Sequence, residues 1–168
     1  MNHPEGPIDW DAIYWEQMPR IYNFFLYRVC DTAVAEDLTA STFERAWRYR
    51  DRYRHDLANF STWLFTIARN VAKNHFRQRH VETPLDDILH LADRVSLEET
   101  WQQRNDLAQL SRLIGRLDER ERDIISLRYG AELTNRAIAQ ITGLSESNVG
   151  TILHRAIQRL RILWESAS

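Results

Sequence analysis

The chain reads as all-α: two small helical domains joined by an acidic linker, the C-terminal one containing a helix-turn-helix. Three observations predict this. Apolar residues recur three and four apart, as in Trp63, Leu64, Ile67, Ala68 and Val71, which is the period of a helix packed along one face. No segment reads as a strand ladder, and no repeat of solenoid length occurs. Charge is segregated: residues 45–79 carry nine Arg or Lys against two acids, Asp51 and Asp56, whereas residues 81–100 carry six acids against one base, Arg94. That order places a basic surface beside an acidic connector. The resulting division is a polar tail at 1–9, a helical domain at 10–80, a linker at 81–102 and a second helical domain at 103–168.

Trp10 to about Cys30 is rich in aromatic and aliphatic residues and forms the first expected helix, which Pro19 should bend or interrupt. Asp31-Thr32 offers an N-cap for a helix from Ala33 to about Tyr49. Its core side is Leu38, Phe43, Ala46 and Trp47, and its solvent side is Glu36, Asp37, Glu44 and Arg45. Asp51 to Phe60 reads as a loop, after which Ser61 or Thr62 caps a helix from Thr62 to Gln78. That helix has two stripes. One is the apolar set above; the other, Thr66, Arg69, Asn70, Lys73 and Arg77, is cationic and amide-bearing and contains no carboxylate. The preceding Asp56-Leu57-Ala58-Asn59-Phe60 is polar and turn-prone with a lone aromatic. A basic helix beside such a loop suits phosphate gripping and stacking on an unpaired base. A solvated amphipathic helix fits the segment equally well when it is taken alone.

From His80 to about Thr100 the periodicity weakens around Pro84 and Asp86-Asp87, and helical patterning resumes at Trp101. In the C-terminal block, Ala139 lets two helices cross closely, Gly143 permits the turn and Val149 plugs the space between them. Thr134 and Ser145 are the caps of the two helices, around the turn Thr142-Gly143-Leu144. Ile138, Ile141, Val149, Leu153, Ala156 and Leu160 face the core. Ser147, Thr151, His154, Arg155 and Gln158 face outward, bordered by Asn148 and Arg159. Hydroxyls, an amide and guanidinium groups can read base edges and hold phosphates in a major groove. Helix pairs of this kind also serve as plain packing units.

A net charge of −2 excludes a uniformly basic protein, and 168 residues fit one domain or two small ones. Cys30 is the single cysteine, so no intrachain disulfide forms, and it reads as a small core residue. No CxxC or HExxH pattern occurs and the six histidines are dispersed, so no metal site is expected. No apolar run approaches the roughly 20 residues that span a bilayer. The N-terminus, with Pro4 and Pro7, lacks the basic and apolar regions of a signal peptide. A soluble cytoplasmic protein without membrane insertion is expected.

At this point the residues resemble a known family. Ala35-Glu36-Asp37-Leu38-Thr39 followed by Thr42-Phe43, then Phe60-Ser61-Thr62-Trp63-Leu64-Phe65-Thr66-Ile67-Ala68-Arg69-Asn70, looks like the second conserved region of bacterial sigma factors. Leu117 to Arg128, then Leu133 to Leu160 with Leu153-His154-Arg155-Ala156, looks like their fourth region. The absence of an intermediate domain points to the small extracytoplasmic-function (ECF) group of the sigma-70 family. The resemblance extends from about Trp10 to Trp164.

The resemblance implies a non-catalytic initiation subunit that docks on RNA polymerase core, recognises promoter DNA and promotes its opening. It needs no cofactor or metal. Asp37, Leu38, Thr42 and Arg45 are the implied contacts with a coiled coil of the largest core subunit. Asn59 and Phe60 are implied to capture an extruded base of the nontemplate strand, and Arg69, Asn70, Lys73, Asn74 and Arg77 to contact the opened strand. Trp63 stands between core packing and base contact. Ser147, Asn148, Thr151, His154, Arg155 and Arg159 are implied to read the upstream element as duplex. The linker acids Asp86, Asp87, Asp93, Glu98 and Glu99 either enter basic core channels or form a solvated connector. An anti-sigma factor is a further candidate partner.

Three features depart from the family pattern. Ala40 and Ser41 replace a common Gln-Glu, Ala137 replaces a frequent glutamate, and Gly150-Thr151-Ile152 replaces a common Lys-Ser-Arg. The last change removes two cations and predicts weaker or altered upstream recognition. The alternative is a stand-alone helix-turn-helix regulator acting without promoter melting, which leaves Thr62 to Gln78 unexplained. A nucleic-acid enzyme is disfavoured because Asp37, Asp51 and Asp56 are not spaced as a metal cluster and no P-loop occurs. A protein-binding helical adaptor is the remaining option.

Overall fold

The computed structural model describes residues 8–82 and 101–167, the side chains at 80–82, 101–104 and 107 excepted. Pro4, Pro7, Pro84 and the linker residues Asp86, Asp87, Asp93, Glu98 and Glu99 lie outside the described residues. Among the described residues the regular elements are helical, with no strand.

Helix α1 spans Trp10–Val29, and the Asp9 carboxylate caps it by accepting from the Ala12 N–H at 3.1 Å. It runs unbroken through Pro19. Proline removes one N–H donor, but Ile21, Phe24 and Phe25 just beyond it are wholly buried, and that burial holds the helix together. The helix ends at Cys30, in the left-handed region at φ 54°, where the Cys30 N–H donates to the Leu26 carbonyl at 2.9 Å. Cys30 is buried, as expected, and burial pushes its thiol pKa up.

Helix α2 spans Thr32–Arg48, with Asp31 accepting from the Val34 N–H at 3.0 Å. Ala35, Leu38, Thr39, Thr42 and Ala46 are its buried line. Trp47, expected in the core, is 53% exposed instead. It follows Ala46 by one residue and so points about 100° away from that line. Its ring meets the Trp10 ring edge-on at 5.5 Å, and the Arg50 guanidinium lies 4.2 Å from its centroid.

A short 3-10 turn, Arg50–Arg52, leads through a loop into helix α3, Phe60–Glu82. The cap of α3 is neither Ser61 nor Thr62. The Asn59 carboxamide oxygen accepts from the Thr62 N–H at 2.8 Å, so the helix starts two residues earlier than expected. Leu64, Phe65, Ala68, Val71 and Ala72 are buried, whereas Trp63 and Ile67 are half-buried.

The next helix among the described residues is α4, Trp101–Ile114. Helix α5, Glu119–Ile125, starts with a reciprocal box in which Asp118 and Glu121 each accept the other's backbone N–H. It unwinds into a π-turn over Ser126–Gly130, where the Ala131 N–H donates to the Ser126 carbonyl at 3.0 Å. Helices α6, Asn135–Thr142, and α7, Glu146–Ala167, follow.

The two domains share one contiguous core. Phe24, Phe25 and Phe65 from the first cluster with Ile124, Leu127, Ile138 and Val149 from the second. Gly130 makes the approach possible: an added Cβ would lie 2.8 Å from the Asn23 carbonyl oxygen and 3.1 Å from the Phe24 Cα, both backbone atoms that cannot swing aside. Beside it the Arg20 Nε donates to the Ala131 carbonyl at 3.0 Å.

Candidate nucleic-acid interface

The exposed face of α3 is narrower than the expected stripe. Thr66, Asn70, Lys73 and Arg77 stand exposed at i, i+4, i+7 and i+11, one line along the helix. Asn74 is half-buried and accepts from the Arg77 guanidinium. Arg69 leaves this line. Its Nε and Nη2 reach the Asp123 carboxylate of α5 at 2.9 and 2.8 Å, and its Nη1 donates to the Ile141 carbonyl of α6 at 3.2 Å. The stripe is free of carboxylates along the helix but not in space, because folding brings Asp123 to it.

The loop before α3 is held by two local contacts. The Tyr53 hydroxyl donates to the Ala58 carbonyl at 3.1 Å. Arg54 binds both Asp56 oxygens, at 3.2 and 2.7 Å, and holds that carboxyl below its ordinary range. Phe60 is the first residue of α3 rather than a loop residue. Its half-buried ring packs against Trp10, Trp63 and Tyr53 with centroids 5.4, 5.4 and 5.3 Å apart. Phe60 and Trp63 therefore form an aromatic wall, and the Asn59 side chain serves the helix cap. The apolar side chain that projects from the loop is Leu57, 75% exposed. It was not singled out from the sequence, although a leucine in a turn between Asp56 and Asn59 was a readable signal.

The candidate core-binding residues of α2 separate by burial. Asp37 is exposed. Leu38 and Arg45 line a groove of about 570 Å³ between α2 and α3, with Val71, Asn74 and Arg77 opposite. Thr42 is wholly buried and donates its hydroxyl to the Leu38 carbonyl at 2.8 Å, so it supports the groove from inside and offers no contact surface. His75 also lines the groove; burial lowers its pKa, and Arg79 acts in the same direction.

The α6–α7 unit follows its expected chemistry. Thr134 caps α6 by accepting from the Ala137 N–H at 3.2 Å, Gly143 takes φ 76° in the turn, and Ser145 accepts from the Asn148 N–H at 3.1 Å at the start of α7. Ile138, Ile141, Val149, Leu153 and Ala156 are buried, and Leu160 is packed against them. Ser147, Asn148, Thr151, His154, Arg155 and Gln158 stand exposed on the other side of α7. Arg159 is tied to α5 through Glu121 at 2.9 Å. At Gly150 the nearest atom to an added Cβ is the Asn135 Nδ2, 3.8 Å away, so no packing constraint demands glycine.

Among the described residues, no cluster of three or more His, Cys, Asp or Glu could hold a metal, and no helix is long and apolar enough to cross a membrane.

Comparison with known proteins gives these surfaces a context. Residues 14–82 match the family Sigma-70 region 2, and residues 113–161 match Sigma-70, region 4. The chain is 30% identical over 155 residues to the ECF RNA polymerase sigma factor SigM of Bacillus subtilis, covering 92% of this chain and 94% of that protein. It is 31% identical over 160 residues to the ECF RNA polymerase sigma factor BldN of Streptomyces coelicolor, covering 92% of this chain and 60% of the relative. The fold resembles that of the sigma factor RpoE in its co-crystal structure with the anti-sigma factor NepR from Bartonella quintana, with a TM-score of 0.75 and 23% identity over 94% of this chain and 97% of that one. A second similar fold is CnrH in complex with the cytosolic domain of CnrY, with a TM-score of 0.64 and 22% identity over 94% and 86% of the two chains. With both regional patterns present in order, and a 30% identical relative matched over nearly its whole length, the chain belongs to the ECF group of the sigma-70 family of RNA polymerase sigma factors.

Proposed function

We propose that this sigma factor acts in the cytoplasm as a non-catalytic subunit of RNA polymerase, reading an upstream promoter element with α7 and opening the downstream element with α3 and the loop before it. The observation that carries the reading is the presence, in one chain, of two exposed faces rich in cations, amides and hydroxyls: Thr66, Asn70, Lys73 and Arg77 on α3, and Ser147, Asn148, Thr151, His154 and Arg155 on α7. The α7 face follows a helix-turn-helix and suits a major groove. The α3 face adjoins an aromatic wall and the projecting Leu57, and suits a separated strand.

Extruding a base costs a few kcal/mol of stacking and pairing. A stacking surface returns about 1–3 kcal/mol per base, and cations hold the freed backbone. No acid, nucleophile or metal is required of this subunit, because strand opening is an exchange of contacts; bond formation belongs to the core enzyme. Asp37, exposed on α2, and Leu38 and Arg45, which line the groove, are the proposed docking residues for core. The acidic residues of 81–102 are proposed to follow the nucleic-acid path through it, joining domains at 10–80 and 103–168. The two similar folds come from complexes with NepR and CnrY, which makes an anti-sigma factor a proposed partner here as well.

The test is transcription in vitro from the chain's own genomic promoters, with competent core and with or without the protein. Start sites that depend on the protein are expected. Equal transcription with and without it, on promoters that respond in the cell, would overturn the reading.

A further inference from the structure

Residues 45–55 interleave five arginines with Trp47, Tyr49 and Tyr53 against one carboxylate, Asp51. Folding sorts the arginines. Arg48 is paired with Glu44 at 2.9 Å, and Arg54 with Asp56 at 2.7 Å. Arg50 and Arg52 have no ion pair among the described residues and lie over rings instead. The Arg50 guanidinium is 4.2 Å from the Trp47 centroid, and that of Arg52 is 5.0 Å from the Tyr49 centroid. Arg50 is fixed twice, because its Nη1 also donates to the Trp47 carbonyl at 2.7 Å. Trp47 is 53% exposed and Tyr49 41%, so these rings back the two cations at the surface rather than fill the core. An arginine held on a ring has already given up much of its rotamer freedom, which lowers the entropic cost of using it to bind.

The corner adjoins the wall at the start of α3. Trp47 meets Trp10 at 5.5 Å, and Trp10 meets Phe60 at 5.4 Å, so one run of rings joins the end of α2 to the strand-facing side. It is a different face from the α2 groove. Trp47 follows Arg45 by two residues and therefore points about 200° around the helix from it.

We propose that Arg50 and Arg52, backed by Trp47 and Tyr49, form a second single-strand subsite, in which their guanidinium planes stack on unpaired bases of the strand held by α3. This rests on the reading of α3 and its loop as the strand-opening surface, and extends that surface to the end of α2. Unpaired bases stack on guanidinium planes as they do on aromatic rings. Each base also carries a phosphate to a cationic corner, where Asp51 is outnumbered. Every base has a π-face, so the subsite holds the strand without reading its sequence. Continuity with the ring wall favours a strand over an acidic protein surface as the occupant.

The test uses the full chain assembled with core. Affinity for a fluorescent single-stranded nontemplate promoter oligonucleotide is measured by anisotropy across a salt series, with thermal melts of the variants alongside. Arg50→Gln and Arg52→Gln should each weaken binding by about fivefold or more, the low end for one stacked base. Each should also reduce the slope of log affinity against log salt by about 0.7. Arg52→Lys keeps the charge without the plane, so it should restore the slope but not the affinity. The Arg52 side chain is exposed, so Arg52→Gln decides the matter even if Arg50→Gln disturbs the turn. In a second measurement, p-benzoylphenylalanine in place of Tyr49 should photocrosslink to the oligonucleotide. A crosslink to a core subunit instead, wild-type affinity in Arg52→Gln, or full recovery of affinity in Arg52→Lys would overturn the proposal. If the wild-type holoenzyme binds the oligonucleotide and initiates while the variants bind equally well, only the subsite falls; if it does neither, the strand-opening reading falls as well.

Discussion

Leu57 and Arg155 are the residues at which binding separates most cleanly from folding, because both stand in solvent. Removing Leu57 exposes no core, so Leu57→Ala should leave the thermal melt unchanged and slow open-complex formation, read as permanganate reactivity of promoter thymines. A pre-opened bubble template should restore the lost rate, because the unstacking cost has already been met. Normal opening by Leu57→Ala on duplex promoters would remove it from the site. Phe60→Ala is a mixed case: its half-buried ring joins three others, so about 2 kcal/mol of stability should go with it, roughly half the loss at a fully buried phenylalanine. Arg155→Ala should weaken upstream-element binding and reduce the slope of log affinity against log salt by about one, as expected for one lost phosphate contact. An unchanged slope would mean that Arg155 does not meet the backbone.

Helix ends and helix faces are the next scale. Asn59 was nominated as a base contact, and it caps α3. Asn59→Ala should therefore lower stability by about 1 kcal/mol in a denaturant titration, whereas Asn59→Asp, which keeps the accepting oxygen, should not. On α7 the contacts at Gly150 leave room for a methyl group, so Gly150→Ala should stabilise the chain by about 0.5–1 kcal/mol. If upstream binding falls at the same time, close DNA approach is what glycine serves there. In the α2–α3 groove, desolvation first and Arg79 second lower the His75 pKa, while Asp31 opposes them. A histidine whose folded pKa lies below its unfolded value disfavours the folded state once it is protonated. Its contribution is complete above the ordinary histidine range and is lost as pH falls through the lowered value. The melting temperature should drop between about pH 7 and 5, and His75→Gln should flatten that part of the profile.

For the whole molecule, the shared core predicts cooperativity. Phe24, Phe65, Leu127 and Ile138 belong to one apolar cluster, so the two domains should unfold in a single calorimetric transition. Gly130→Ala, which presses a methyl group into the α1 backbone, should split that transition in two. A single transition at the wild-type temperature would show that the seam tolerates the extra carbon.

The sequence by itself determined the helical class, the turn at Gly143, the caps Asp31, Thr134 and Ser145, and the outward face of α7, because each depends on groups within about four positions of one another. The sigma-factor family was legible for a related reason: two local signatures occur in order along the chain. Tertiary structure alone decided the rest. Trp47 turned outward against Trp10 and Arg50, Thr42 sank beneath Leu38, and Phe60 joined a wall of rings from three separate segments. The partner of Arg69 was decided in the same way, because Asp123 lies 54 positions along the chain and periodicity carries no record of which distant carboxylate folding will bring alongside.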